Sequence, residues 1–165
     1  MQLPFSLRRF RADDLDRIMR INRTCLPENY SPSFFMDIYE KAPETFIVAE
    51  MDGVIVGYVM CRIERGLSSL TLRPFSIAKK GHIISIAVLP EHRGGGIGHS
   101  LVEGALEAMS TSYGADLCYL EVRVSNSDAI GLYRSLGFEV ERTARGYYSD
   151  GESAYIMSKK LGSED

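Results

Sequence analysis

A branched apolar run that leads into a glycine cluster and then into a helical pattern constrains this chain more than any other feature. The text is Ile86-Ala87-Val88-Leu89-Pro90-Glu91-His92-Arg93-Gly94-Gly95-Gly96-Ile97-Gly98-His99. Residues 82–89 carry Ile83, Ile84, Ile86 and Val88, the near-continuous pattern of a strand covered on both faces. Over residues 96–112, Ile97, Leu101, Ala105 and Ala108 recur at helical spacing, as do Val102 and Met109. The first N–H groups of a helix have no intrahelical acceptor, and the helix dipole is positive there. Glycines let that backbone wrap an anion without Cβ clashes, and Arg93 adds a fixed positive charge. The turn therefore predicts a cradle for a pyrophosphate. A plain strand-to-helix connector needs one sharp bend and does not account for four glycines in five positions. A P-loop would require glycine-lysine followed by serine or threonine, which is absent, and a dinucleotide fingerprint would require a third glycine where Leu101 stands.

The flanking segments predict a mixed α/β order, β-α-α-β-β-β-α-β-α-β-β. Residues 5–10 read as an edge strand. Asp13 or Asp14 is expected to cap a helix whose Leu15, Ile18 and Met19 share a face. Residues 26–32 form a loop, with a second helix expected after Ser33 and an aromatic face of Phe34, Phe35, Ile38 and Tyr39. Residues 46–51 and 54–62 read as strands joined at Asp52-Gly53, a strong hairpin signal. Residues 67–80 read as an irregular connection. Residues 117–124 are an apolar strand. Residues 127–136 are a helix capped by Ser125, Asn126 or Ser127 and ended by Gly137. Residues 138–142 and 154–159 complete the chain as an antiparallel pair. No repeat or linker is visible, so one domain over residues 1–161 is expected, with a frayed tail at 162–165.

Composition excludes several classes. The net charge is −3 with no long basic run, which argues against nucleic-acid binding. No apolar run reaches membrane-spanning length, and no signal peptide is seen, so a cytoplasmic protein without a membrane partner is expected. Cys25, Cys61 and Cys118 form no C-x-x-C pair and sit among apolar residues. They read as small buried hydrophobes rather than nucleophiles or metal ligands. No metal is expected.

The pattern Arg93-x-x-Gly96-x-Gly98 after a strand resembles the superfamily of acetyl-coenzyme A-dependent N-acetyltransferases, the GNAT superfamily. Asn126, with the stretch Ala129-Ile130-Gly131-Leu132-Tyr133-Arg134-Ser135-Leu136-Gly137-Phe138, resembles the family's second signature. The likeness spans nearly the whole chain. It implies a single-domain fold with a mixed sheet of about seven strands flanked by four helices and splayed between strands 4 and 5. It also implies acetyl-CoA as cosubstrate, held by Ile86, Ala87, Val88, Arg93, Gly94, Gly95, Gly96, Ile97, Gly98, His99, Asn126 and Tyr133. Many relatives carry extra basic residues where Gly94 and Gly95 stand, so the grip should rest on backbone N–H groups and Arg93. Leu26-Pro27-Glu28-Asn29-Tyr30, the strand from Gly81 to Val88 and Gly146-Tyr147-Tyr148-Ser149-Asp150-Gly151-Glu152-Ser153-Ala154-Tyr155 narrow the resemblance. They are similar to the protein N-terminal acetyltransferases, in particular the catalytic subunit of the A-type enzyme and its archaeal single-chain relatives. That branch implies free protein N-termini as substrate, with Glu28, Tyr30 and Tyr147 or Tyr148 around the peptide. It leaves ribosome association open and is compatible with a monomer or a weak homodimer.

A protein α-amine has a pKa of about 8, against about 10.4 for lysine, so a modest base suffices. Candidates are Glu28, His82 and Glu121; the resemblance implies a water held by His82 and Glu121. Each has a structural alternative: Glu121 paired with Arg123 on the same strand face, His82 a strand-end histidine, Glu28 solvated. Backbone N–H groups at residues 86–88 are candidates to stabilise the negative charge that develops on the thioester oxygen. Tyr133 either serves the leaving thiol or is a core tyrosine. The competing functions are acetylation of a ribosomal protein or of lysines, and acyl-CoA binding without turnover.

Overall fold

The computed structural model describes residues 4–67 and 77–162. Seven strands form one sheet: β1 (Ser6–Arg9), β2 (Ile47–Met51), β3 (Val54–Leu67), β4 (Ile77–Val88), β5 (Leu117–Arg123), β6 (Glu139–Ala144) and β7 (Ala154–Lys160). Four α-helices accompany it: α1 (Leu15–Cys25), α2 (Pro32–Lys41), α3 (Ile97–Tyr113) and α4 (Ser127–Ser135). The strand order is β1-β2-β3-β4-β5-β7-β6, antiparallel throughout except for β4 and β5. This is the α/β architecture expected from the sequence, and the edge placement of β1 agrees with it.

Alternation along the strands sorts the core into two apolar clusters. Val59, Cys61, Ile83, Cys118, Leu120 and Val122 pack with Leu101, Ala105 and Met109 of α3. Val48, Tyr58 and Met60 pack with Ile18 and Ile21 of α1 and Phe35 and Ile38 of α2. Helices α1 and α2 cover the sheet mainly around β3 and β4. The polar side chains described below lie at the junction of β4 and β5.

The local signals resolve as follows. Asp52 and Gly53 both take positive φ, 53° and 77°, the backbone of a primed hairpin turn. Asn126 caps α4 by accepting from the Ala129 N–H at 3.2 Å, and Gly137 follows at φ 93°. Asp14 stands at the start of α1, but its carboxylate does not cap that helix. It accepts from Arg8 at 2.8 and 2.9 Å and from the Arg11 N–H at 2.8 Å. Helix α2 begins at Pro32, earlier than expected, because the Ser31 hydroxyl caps it and proline suits a first helical position.

The irregular connection expected over residues 67–80 is corrected at both ends. β3 runs on to Leu67 and β4 starts at Ile77, paired in register through Leu67↔Ile77. Residues 62–66 and 79–80 mix charges into both faces of this ribbon, which hid the two-residue period in the sequence. Residues 68–76 lie outside the described residues, as do residues 163–165 of the expected tail.

Candidate active site

β4 and β5 pair only through Lys80↔Leu117, Gly81↔Cys118 and His82↔Tyr119. Past His82, β4 continues to Val88 against β3 alone, while β5 continues to Arg123 against β7 alone. The sheet therefore forks just beyond His82. From residue 83 to 88, the backbone groups of β4 that face the gap have no strand partner. Alternation aims Tyr119, Glu121 and Arg123 of β5 to one face, and pairing puts His82 of β4 and Arg62 and Glu64 of β3 beside them.

His82 sits at the apex of the fork between two carboxylates. Its Nε2 lies 2.7 Å from Glu121 Oε1 and its Nδ1 lies 2.9 Å from Glu64 Oε2. The Tyr119 hydroxyl donates to the other oxygen of Glu64, and the Tyr119 ring stacks on the imidazole at 4.1 Å. Burial alone would lower the His82 pKa, but hydrogen bonds to and the charges of Glu121 and Glu64 outweigh it and raise it above the ordinary imidazole value. Burial opposes ionisation of Glu64 too, yet Tyr119 and His82 bring its pKa below the usual range.

A second charged centre closes the open side. Arg123 donates to Glu28 Oε1 at 2.7 Å, to Asp150 Oδ2 at 2.9 Å and to Glu152 Oε1 at 2.9 Å, and its guanidinium lies 4.0 Å from the Tyr148 ring centre. It thus joins the loop between α1 and α2 to the turn between β6 and β7. Tyr30 stacks on Phe34 at 4.7 Å, and Tyr147 meets Tyr148 edge-on at 4.9 Å. Burial raises the Tyr30, Tyr147 and Tyr148 pKa values, and the charges of Glu28 and Glu121 add to that in all three. The three hydroxyls therefore stay neutral around an acidic cleft. Beneath the loop, Asn22 donates to the Glu28 carbonyl and to the Tyr58 hydroxyl, both at 3.1 Å, and Tyr58 pairs with Ser85 of β4 at 2.7 Å. Burial pushes the Tyr58 hydroxyl up to about 12. This chain of bonds fixes the loop to the splayed strand.

At the other end of β4 lies the glycine turn. Gly94 and Gly96 take φ of 82° and 90°, which few side-chain-bearing residues adopt. The first bond of α3 runs from the Ser100 N–H to the Gly96 carbonyl, so the N–H groups of Ile97, Gly98 and His99 open out of the helix start. A Cβ on Gly94, Gly95 or Gly96 would meet no protein atom within 4 Å, so the space above the turn is open. Arg93 Nε donates to the Val88 carbonyl at 2.8 Å, which holds the guanidinium at the rim. These residues fit an anionic pyrophosphate.

The comparisons with known proteins agree with this geometry. Residues 15–138 match the Acetyltransferase (GNAT) family. The chain belongs to that family. It is 48% identical over 157 residues to an N-alpha-acetyltransferase from Sulfurisphaera tokodaii, covering 95% of this chain and 93% of that one. It is 38% identical to the catalytic subunit of the N-terminal acetyltransferase A complex of Arabidopsis thaliana, over 94% of this chain and 77% of the relative. Among solved structures, Arabidopsis thaliana Naa50 in complex with the bisubstrate analogue CoA-Ac-MVNAL superposes with a TM-score of 0.81 at 28% identity, covering 96% of this chain and 100% of the other.

Within this GNAT fold, the candidates named from sequence fall into two groups. His82, Glu121, Glu28, Tyr30, Tyr147 and Tyr148 surround the cleft. Arg93 to His99 form the turn, joined to the cleft by Ile86, Ala87 and Val88 along the open edge of β4. His99 pairs its own ring with Glu103 at 2.8 Å, so it offers the turn only its backbone. Asn126 stands at the start of α4. The Tyr133 ring is buried in the core, edge-on to Phe138 at 5.8 Å, and its hydroxyl has no hydrogen-bond partner among the described residues. The expected alternative of a Glu121–Arg123 pair is replaced: Glu121 bonds His82 and Arg123 bonds Glu28. Glu28 is accordingly ion-paired rather than solvated. Sequence reasoning missed Glu64, Tyr119, Arg123, Asn22 and Ser85. Tyr119 and Arg123 share the parity of Glu121 and were findable; Glu64 fell beyond the expected end of its strand.

Proposed function

We propose that this chain is a protein N-terminal α-amino acetyltransferase that moves an acetyl group from acetyl-CoA to a free N-terminus by direct attack. The observation that carries the reading is the acidic, tyrosine-lined cleft of Glu28, Glu121, Tyr30, Tyr147 and Tyr148 opening at the sheet fork, one strand length from a helix N-terminus built for pyrophosphate. The names of its relatives support the same reading.

When bound, acetyl-CoA supplies an activated acyl group on a leaving thiol of ordinary acidity, about 8.5. The chain's own residues do the rest. Gly94 to His99 and Arg93 would hold the pyrophosphate, and the open edge of β4 at Ile86, Ala87 and Val88 would lie along the acyl arm and offer N–H groups to developing negative charge. Glu28, Tyr30, Tyr147 and Tyr148 line up the peptide backbone. Glu121 takes the proton that the amine gives up, directly or through a water beside His82. Tyr133, though its ring is packed in the core, is the candidate to donate to the thiol that leaves. Burial pushes the Cys61 and Cys118 thiols well up, so neither serves as a nucleophile. No helix among the described residues is long and apolar enough to cross a membrane, and the reading places the reaction in the cytoplasm.

Thiol release measured on two peptides tests this. Both carry one internal lysine; one has a free N-terminus and the other a blocked one. Turnover is expected only with the free N-terminus. Equal turnover on both would replace the reading by lysine acetylation, and cofactor binding without turnover would replace it by a sensor.

A further inference from the structure

Glu64 lies outside every residue set assigned to the reaction, yet it bonds directly to the centre of the fork. Carboxylate oxygens only accept, and both imidazole nitrogens of His82 face one: Nδ1 faces Glu64 at 2.9 Å and Nε2 faces Glu121 at 2.7 Å. A neutral imidazole has one N–H and would leave one contact as a lone pair against a carboxylate. Only the doubly protonated ring satisfies both contacts. Glu64 is itself fixed as an acceptor, because Tyr119 donates to its second oxygen and Arg62 Nη1 lies 3.6 Å from its first.

We propose that Glu64 is a positioning residue that locks His82 as an imidazolium, so that His82 is a permanent donor to Glu121 and Glu121 is the proton acceptor of the reaction. This rests on the acetyltransferase reading and deepens it. A ring with both nitrogens protonated has no lone pair for an amine proton. Its Nε2–H occupies one oxygen of Glu121 and turns the carboxylate so that Oε2, which has no partner among the described residues, meets the substrate. In attack, the amine nitrogen would bond to the acyl carbon as the C–S bond to the coenzyme breaks and its thiolate leaves; the N–H bond of the amine breaks and an O–H bond forms on Glu121 Oε2, the proton then leaves to solvent, and the His82 protons stay in place. The stack of Tyr119 on the imidazole limits ring flipping.

The titratable and charged groups around His82 come from each neighbouring element. They are Arg62 and Glu64 on β3, Lys80 on β4 (5.9 Å from the Tyr119 ring centre), and Tyr119 and Glu121 on β5. Across the cleft, Tyr30 and Tyr147 feel the charge of Glu121. On the opposite sheet face α3 brings the uncharged Met109 side chain against Gly81. Glu64 and Glu121 are the only two carboxylates bonded to the ring among the described residues.

Nitrogen-15 NMR of the protein reads the charge state without requiring activity. The chain has three histidines, and His82→Asn assigns the signal by its loss. Both His82 nitrogens are expected to show protonated-ring shifts at neutral pH. In Glu64→Gln, the amide cannot replace the ionised acceptor, and the His82 titration moves down by about one pH unit or more. The basic limb of the kcat profile on a free-N-terminus peptide moves down with it, while the KM for acetyl-CoA stays within about twofold. A neutral His82 ring in the wild-type protein would overturn the proposal, as would an unchanged titration in Glu64→Gln. An intact NMR result with no α-amine acetylation would instead sink the functional reading and leave the lock standing.

Discussion

Arg123 Nη2 lies 2.7 Å from Glu28 Oε1, two side chains 95 residues apart in the sequence. The same guanidinium holds Asp150 and Glu152. One arginine therefore sets the spacing between the two walls of the cleft.

Replacing Arg123 with Met keeps most of the unbranched apolar stem and removes the charge and its donors. Glu28, Asp150 and Glu152 then repel across the cleft mouth. A hydrogen bond to a charged group contributes about 1.5–3 kcal/mol, so kcat/KM for peptide is expected to fall by about 10- to 150-fold. The Kd for acetyl-CoA, bound at the far end of β4, is expected to stay unchanged. Steady-state kinetics against calorimetric cofactor binding separates the two.

The glycines of the turn are not equivalent. Gly96 has φ 90°, whereas Gly95 is in ordinary backbone space. A left-handed backbone costs a side-chain-bearing residue about 1–2 kcal/mol, and a valine at 96 also fills the open space above the turn. Gly96→Val is expected to abolish acetyl-CoA binding, Arg93→Ala to weaken it, and Gly95→Ala to change it least. Titration calorimetry of the three variants checks the order.

The His82 cluster gives stability a definite pH window. His82 titrates above its ordinary value of 6.5, so its contribution is complete below that pH and is lost as pH rises through the raised value. Glu64 titrates below its ordinary 4.5, so its contribution is present above that pH and is lost as pH falls. The destabilisation of Glu64→Gln relative to wild type is expected to be largest between those two values and to shrink as pH climbs past the point where His82 loses its proton. Thermal denaturation across a pH series measures it.

Gly81 lies beside His82 and under α3. A Cβ there would come within 2.2 Å of the Met109 sulfur and 2.8 Å of its neighbouring carbons, in a side chain with no exposure. Gly81→Ala is expected to destabilise by about 1–3 kcal/mol through overpacking. The fall in Tm, about 2–4 °C for each kcal/mol in a domain of this size, should accompany reduced activity, because the strand carrying His82 has to shift.

How far the sequence carried is clear from particular residues. Periodicity located all seven strands and four helices, and strand parity placed Glu121 and Arg123 on one face, which Tyr119 shares. The glycine turn was legible because its residue types serve a local backbone need. Pairing was not legible. That Glu121 bonds His82 and Arg123 bonds Glu28 depends on where β4 and β5 part, a tertiary event with no local signature. Glu64 was missed for a related reason: the charged end of the β3–β4 ribbon has no core to face, so its alternation loses contrast.

The central claim is that the cleft at the fork acetylates an α-amine with Glu121 as proton acceptor. The most direct measurement is mass-spectrometric localisation of the acetyl group on one peptide with a free N-terminus and an internal lysine, using wild type and Glu121→Gln side by side. The account predicts acetyl on the α-amine with wild type, and a rate lowered by about 100-fold or more in the variant with acetyl-CoA binding intact. Acetyl on the lysine, or an undiminished rate in Glu121→Gln, would contradict it.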